Sequence, residues 1–596
     1  LQQNQKTTFD IVLKTRNADQ EYQNALAVNT PGTKTFKQFL SPTEFRSSYG
    51  QPVSVTHRWQ QFLNQHHLKA TTFSNGLIIQ VSGKVNAIEK AFRVNLKHAT
   101  YHQNVLQFGS HAPKIPNSLK KSVRVVIGMT DHNQNNVFAK SQFGLSRGQN
   151  VSFGKETVSG KFGYTNQFTD HYGVNQLYQR GLTGKGQTVG IIAFEGFQKS
   201  DIFKFWKHEK ADTNPHRLSV KNVSGDLYSP KLVNTNDSIE TAMDVEYAGS
   251  VAPQANIKVF RIANGIPNLM NLINAYSTVF DANQVSTVST SWGIGSFLGY
   301  RYLQRQGIVA PNYQEILNTV LAQGALEGIS TFTGSGDQGA QAAYLKGVSH
   351  NKGIVSYSLN NGDALATNPW LMSIGGTTLP ITRTITVKGV GTVTVKNAGE
   401  RAWGDDTLLS SLTKNSNLLK MIEADDAYRV GSGGGFSKLY QTPSYQSGVA
   451  GVNTFNARPY IGSNGKLNLN PPLISGTGSG RNYPDLSVNA DSLTGYYVYQ
   501  KSFSKSGWVP IGGTSIASPQ VAAVVALING SRTHDRMGFW NPQIYQLAQR
   551  TDSPFTPLNS TTDNSNMYYT GQPNTIYNQA SGLVIPNFKK LYDTYQ

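Results

Sequence analysis

The sequence predicts an α/β fold on a parallel sheet, preceded by a small α+β unit, and three features lead there. First, apolar runs of strand length, Gln187 to Phe194, Ile257 to Arg261, Ser286 to Ser291 and Ile329 to Thr333, alternate with stretches of helical spacing, Ser238 to Ala248 and Tyr313 to Glu327. Strands that are apolar throughout and separated by helices are the pattern of a sheet covered on both faces. Second, a further helix, Ser518 to Leu527, follows a glycine turn at Gly512 and Gly513. Third, 596 residues exceed what one hydrophobic core supports, so a small and a large unit are expected.

The small unit comes first. Phe9 to Leu13 and Gly76 to Val81 read as strands, and Ser54 to Leu68 and Val85 to Val94 carry helical spacing. Between Ala139 and Phe168 the chain turns polar, rich in Gly, Ser, Asn and Gln and without periodicity. This divides the chain into residues 1–140, a linker over 141–168 open to cleavage, and a large unit over 169–596. Stretches 340–364 and 400–430 read as irregular surface insertions, and no internal repeat is present.

Composition narrows the function classes. Without cysteine, disulfides and thiolate chemistry are excluded. No window reaches the roughly 18 apolar residues of a membrane-spanning helix, and Leu1 opens a polar stretch rather than a basic and apolar leader. The formal net charge is +19, but the first 160 residues hold 19 Lys and Arg against 7 Asp and Glu, so the excess is mostly N-terminal. With no run of five or six like charges and no basic stripe interleaved with aromatics, a solvated surface is expected rather than a nucleic-acid site.

Chemistry centres on Gly512-Gly513-Thr514-Ser515, which would expose a serine hydroxyl at a tight turn before a helix N-terminus. Alone, such a Gly-Thr-Ser is more often a helix cap. A serine nucleophile needs a base, yet His171, His208, His216, His350 and His534 of the large unit all lie outside glycine-rich turns and read as surface or structural. Glu240 and Asp244 stand four apart in a helical stretch, so their carboxyls share one face, while Glu246 points elsewhere. An acidic pair at this spacing is ordinarily a solvated face, and Asp337 between Gly336 and Gly339 is ordinarily a turn residue.

Taken together, these segments resemble a family. Ser238 to Pro253, with Glu240 and Asp244, is similar to the acidic helix of the sedolisins, the serine-carboxyl peptidases. Ser289 to Gly293, Gly334 to Gly339, Ile374 to Leu379, Ser432 to Ser437, Tyr483 to Val488 and Gly512 to Pro519 look like that family's further signatures, in its order. Residues 1 to about 140 resemble a kumamolisin-type activation domain through Ser41, Pro42, Phe45, Tyr49 and Gly50, then Val81 to Gly83, and Glu89, Ala91 and Phe92.

The resemblance implies a subtilisin-like catalytic domain behind a ferredoxin-like prodomain, and a secreted, self-processing proenzyme of an acid-acting serine endopeptidase. It implies Ser515 as nucleophile, Glu240 as general base, Asp244 as orienting acid and Asp337 at the oxyanion hole. Neighbouring carboxyls share a proton, which keeps a weak base useful in acid, and Asp337 must be protonated to donate to an oxyanion. Trp292 matches a family tryptophan beside the acid pair, and a core indole explains it equally well. A family glutamate at the end of the first strand aligns with Ala193, so Glu195 inherits no role.

One departure concerns metal. Where the family carries calcium-binding aspartates, this chain has Pro557, Leu558 and Asn559, and later Asn578, leaving Asp563 as a displaced substitute. Little or no calcium dependence is expected, and no cofactor is required. The expected partners are protein or peptide substrates and the chain's own prodomain as an intramolecular inhibitor, with no nucleic acid and no membrane span, in a monomer. The rivals are a catalytically silent cell-surface binding protein of the same fold and a histidine-based subtilisin relative.

Overall fold

The computed structural model describes residues 3–101, 104–128, 151–153, 164–223, 238–262, 269–305, 307, 309–349, 352–387, 391–408, 414–417, 419–420, 429–531 and 536–595. The N-terminal unit is a four-stranded antiparallel sheet in the spatial order Lys69–Thr72, Ile78–Lys84, Lys6–Leu13, Val123–Ile127. That is the strand order of a ferredoxin-like unit. Alternate residues divide its faces. Phe9, Ile11, Leu13, Ile79 and Val81 pack with Trp59, Leu63, Ile88 and Phe92 of the unit's own helices. Val12, Ile78 and Ile127 join a core that also contains Ala25, Val28, Phe45 and Tyr49 and, from the large unit, Tyr276, Phe280, Leu317 and Val320.

The large unit is an eight-stranded sheet. Its order runs Arg401–Ala402, Met372–Thr378, Ser330–Gly334, Thr287–Thr290, Thr188–Ala193, Asn256–Arg261, Leu218–Asn222, with Leu486–Asn489 also pairing Met372–Thr378. All pairings are parallel except Arg401–Ala402. The first strand shows why the run is apolar throughout: Val189, Ile191 and Ala193 face one core and Ile192 the other. Helices Ser238–Val251 and Thr514–Asn529 cover the first face, and Leu269–Ala282 and Tyr313–Leu326 cover the second.

Three stretches differ from the sequence reading. The stretch 340–364 is not irregular: Gln341–Ser349 and Lys352–Leu359 form an antiparallel hairpin, exposed at Ile354 and Val355, whose weak apolar alternation hid it. Within the linker, Val151–Phe153 pairs antiparallel with Ile381–Val387, and Asn166–Thr169 is helical with Phe168 buried in the core of the large unit. Linker residues 141–150 and 154–163 lie outside the described residues, as do 409–413, 418 and 421–428 of the stretch 400–430. Finally, the helix read over Ser518 to Leu527 begins at Thr514, four residues earlier than the sequence indicated, so Ser515 lies in its first turn.

Candidate active site

The site gathers where the parallel strands end, the side on which open α/β sheets hold their ligands. Ser291 follows Thr287–Thr290 by one residue, and Asp337 follows Ser330–Gly334 by three. Helix Thr514–Asn529 arrives with its N-terminus between them, preceded by Gly513 at φ 117°, a backbone region glycine reaches readily. The approach is close: a Cβ on Gly334 would stand 2.7 Å from Thr514 Oγ1. Thr514 is therefore not the cap that an isolated motif would suggest. It is a helical residue whose hydroxyl accepts from the Gly336 N–H at 3.1 Å and donates to Asp337 Oδ1 at 3.0 Å.

The Thr514 N–H also donates to Asp337 Oδ1, at 2.8 Å. With that oxygen occupied, the buried Oδ2 makes no hydrogen bond among the described residues. Burial pushes the Asp337 carboxyl up to about 7, against the lowering effect of the two Thr514 hydrogen bonds. A carboxylic acid with one oxygen anchored by donors and the other unclaimed is set to carry its proton on the unclaimed oxygen.

Ser515 is fully buried, and its Oγ makes no hydrogen bond among the described residues. Asp244 reaches the same turn through Ser291, whose Oγ lies 2.6 Å from Asp244 Oδ1 and 3.1 Å from the Ser515 carbonyl oxygen. Burial raises the Asp244 carboxyl well above the usual carboxylate range, the Ser291 contact opposing it. Glu240 sits one helical turn earlier on the same helix and is partly buried, whereas Asp244 is wholly enclosed. Thus Asp337, Ser515 and Asp244 are linked through Thr514 and Ser291, and no direct hydrogen bond joins Ser515 Oγ to Glu240. Such contacts often tighten only when substrate is bound.

The remaining candidates sort as follows. Glu246 points away, accepting from the Tyr499 N–H at 3.1 Å. Trp292 is buried edge-on to Phe194, with ring centroids 5.4 Å apart. Glu195 is buried beside the acidic helix, its carbonyl accepting from Thr241 Oγ1 at 3.2 Å. His171 pairs with Glu400 and His208 with Glu209, while His350 and His534 lie outside the described residues. Sequence reasoning missed Ser291 and Thr514 as site residues. The only signal for Ser291 was its place before Trp292 in Ser-Thr-Ser-Trp-Gly.

In the region aligned with the family's calcium ligands, oxygens are engaged by hydrogen-bond donors of the chain itself. The Leu558 carbonyl accepts from Asn564 Nδ2 at 3.2 Å and Asn578 Nδ2 at 3.1 Å, so N–H donors already face an oxygen that a metal would need. Asn578 Oδ1 in turn accepts from the Ala580 and Ser581 N–H groups and the Ser581 hydroxyl. Asp563 is exposed and accepts from Thr562 Oγ1 at 3.1 Å. Among the described residues no group of three or more His, Cys, Asp or Glu side chains gathers as a metal cluster would require.

Comparison with known proteins supplies the lineage. A family described as the subtilase family matches residues 232–571, more than half of the chain. The chain belongs to the subtilase family. Residues 1–132 match the pro-kumamolisin activation domain. Kumamolisin of Bacillus sp. (strain MN-32) is 25% identical over 595 residues, covering 98% of this chain and 90% of that protein. Sedolisin of Pseudomonas sp. (strain 101) is 23% identical, covering 91% and 79%. Bovine tripeptidyl-peptidase 1 is 25% identical over 376 residues, covering 61% and 52%. A solved Pseudomonas sedolisin, complexed with two molecules of pseudo-iodotyrostatin, has 20% identity and a TM-score of 0.47, covering 69% of this chain and 93% of that one. The protein is a subtilase-family serine peptidase, a hydrolase preceded by a pro-kumamolisin activation domain. No helix among the described residues is long and apolar enough to cross a membrane.

Proposed function

We propose that this peptidase cleaves peptide bonds through an acyl-enzyme on Ser515. Ser515 Oγ attacks the scissile carbonyl, Glu240 takes its proton and returns it to the leaving amine, and water then releases the acid product. Asp244 orients Glu240 and shares its proton, so the pair titrates as one unit. Asp337 donates from Oδ2 to the developing oxyanion, which an ionised carboxylate there would repel. The observation that carries this reading is the pair of Thr514 hydrogen bonds to Asp337 Oδ1, which seat an acid beside the serine turn and leave its other oxygen free.

The N-terminal unit, sharing a continuous apolar core with the catalytic unit, supports its role as intramolecular inhibitor until a cut within residues 141–168. Secretion, a monomeric state and independence of calcium complete the proposal. The silent binding-protein alternative is not favoured, since the relatives are peptidases.

Casein digestion from pH 3 to 7 tests the assignment. Parent protein should digest casein in acid and fade toward neutrality, while Ser515→Ala and Glu240→Ala should be inactive by about a thousandfold or more. A Ser515→Ala protein with parental activity would refute it.

A further inference from the structure

The observation that carries furthest is a proton count at Ser291, and it rests on the reading of Ser515 and Glu240 given above. The helix that begins at Thr514 contains Pro519. In an α-helix the carbonyl of residue 515 accepts from the N–H of residue 519, and proline has none. A buried carbonyl deprived of that donor must find another. Ser291 Oγ, 3.1 Å from the Ser515 oxygen, is positioned to supply it.

A serine hydroxyl has one hydrogen. If it is given to the Ser515 carbonyl, the 2.6 Å contact between Ser291 Oγ and Asp244 Oδ1 needs a proton from the other side. Only the Asp244 carboxyl can provide it. We infer that Ser291 is a positioning residue that holds the shared proton of the acid pair on Asp244, leaving Glu240 as the ionised base. Pro519 is the reason it can: by removing a backbone donor it commits the Ser291 hydrogen to Ser515, and the same contact ties the acid helix to the nucleophile's turn. The burial of Asp244 acts in the same sense, since desolvation favours the neutral carboxyl; the opposing effect of Ser291 holds only while Ser291 donates to Asp244, and it lapses when that hydrogen goes to the Ser515 carbonyl.

The test is the pH profile of kcat/KM on a peptide substrate, with thermal melting as the check on folding. The acid limb reports ionisation of the base. In Ser291→Ala the proton loses its acceptor on the Asp244 side and spends more time on Glu240, so that limb should move up by about one pH unit. The rate in acid should fall by about a hundredfold with KM little changed. Ser291→Thr, which keeps the hydroxyl, should restore the limb. Pro519→Ala returns an N–H to the Ser515 carbonyl, frees the Ser291 hydrogen for Asp244, and should shift the limb in the same direction as Ser291→Ala. Pro519→Ala also serves if Ser291→Ala fails to fold.

The inference is overturned if Ser291→Ala lowers the melting temperature but leaves the limb in place, or if Pro519→Ala leaves it in place. Failure of the underlying reading looks different: Ser515→Ala would then keep parental activity, whatever the limb does in the other variants.

Discussion

The Asn75 N–H of the activation domain donates to Asp281 Oδ2 of the catalytic unit at 3.1 Å, across the surface on which the two units meet. Around that bond, Gln323 Nε2 donates to Asp281 Oδ1 at 2.9 Å and to Glu327 Oε1 at 3.1 Å, and Asn75 Nδ2 donates to Gln323 Oε1 at 3.3 Å. Glu21, whose carboxyl oxygens make no hydrogen bond among the described residues, is buried at the same interface.

These acids set a pH dependence for the proenzyme. Burial pushes Asp281 up to about 6, with Gln323, the Asn75 and Ser74 N–H groups and Arg46 opposing. Burial pushes Glu327 up to about 9, with Gln323 and Arg536 opposing and Asp281 adding to the rise. Burial also raises Glu21 well above its usual range, Arg124 opposing. A carboxyl raised in the docked state stabilises docking fully below its free value near 4, and that contribution is lost as pH rises through 6 and then 9. Acid therefore tightens this part of the interface, so on the proposed reading release waits for the cut in the linker. In a Ser515→Ala background, which blocks self-cleavage, Glu327→Gln should raise the melting temperature at pH 8 by about 2–4 °C or more and change it little at pH 4. An equal effect at both pH values would contradict the account.

Asp337 is expected to set the neutral limb of activity. Its protonated form is the active one, so activity should fall as pH rises through about 7. Asp337→Asn keeps a donor on the second branch and removes the titration: the neutral limb should vanish, at a lower overall rate. Asp337→Ala should lose about 10²–10³-fold in kcat. Initial rates on a peptide substrate from pH 3 to 8 read both effects.

Asp485, in the Tyr-Pro-Asp-Leu-Ser-Val signature, is a structural residue. Its Oδ2 takes Arg481 Nη2 at 2.6 Å and the Ser373 N–H at 2.8 Å, and its Oδ1 takes the Tyr545 hydroxyl at 2.9 Å, all fully buried. Asp485→Ala strands the Arg481 charge and should cost about 3–5 kcal/mol by denaturant unfolding. Asp485→Asn should cost less, because it leaves an acceptor in place.

Asn578 should behave as a cross-link in its own right. Asn578→Asp replaces the Nδ2 donor with an oxygen facing the Leu558 carbonyl, and should lower stability by about 1–3 kcal/mol. The parent's melting temperature should not change on adding a chelator. A large fall with EDTA would show that an ion binds there after all.

The strands and helices of the large unit were legible because their apolar runs are dictated by burial on both faces, which leaves a mark at every position. The hairpin over 341–359 left none, since it lies outside the main sheets and leaves Ile354 and Val355 exposed. Glu240, Asp244, Asp337 and Ser515 stood out in the sequence only through the ordered motifs that resemble a family, not through spacing alone. Their linkage was not legible. That the Asp244 carboxyl meets Ser291, that Thr514 holds Asp337, and that the Ser515 carbonyl turns to Ser291 are contacts between residues 47, 177 and 224 positions apart. Sequence by itself determined the elements, the residue chemistry and the lineage, because these are local patterns. Only the tertiary structure decided which hydroxyl meets which carboxyl, because a hydrogen bond depends on distances of a few tenths of an ångström that spacing along the chain does not encode.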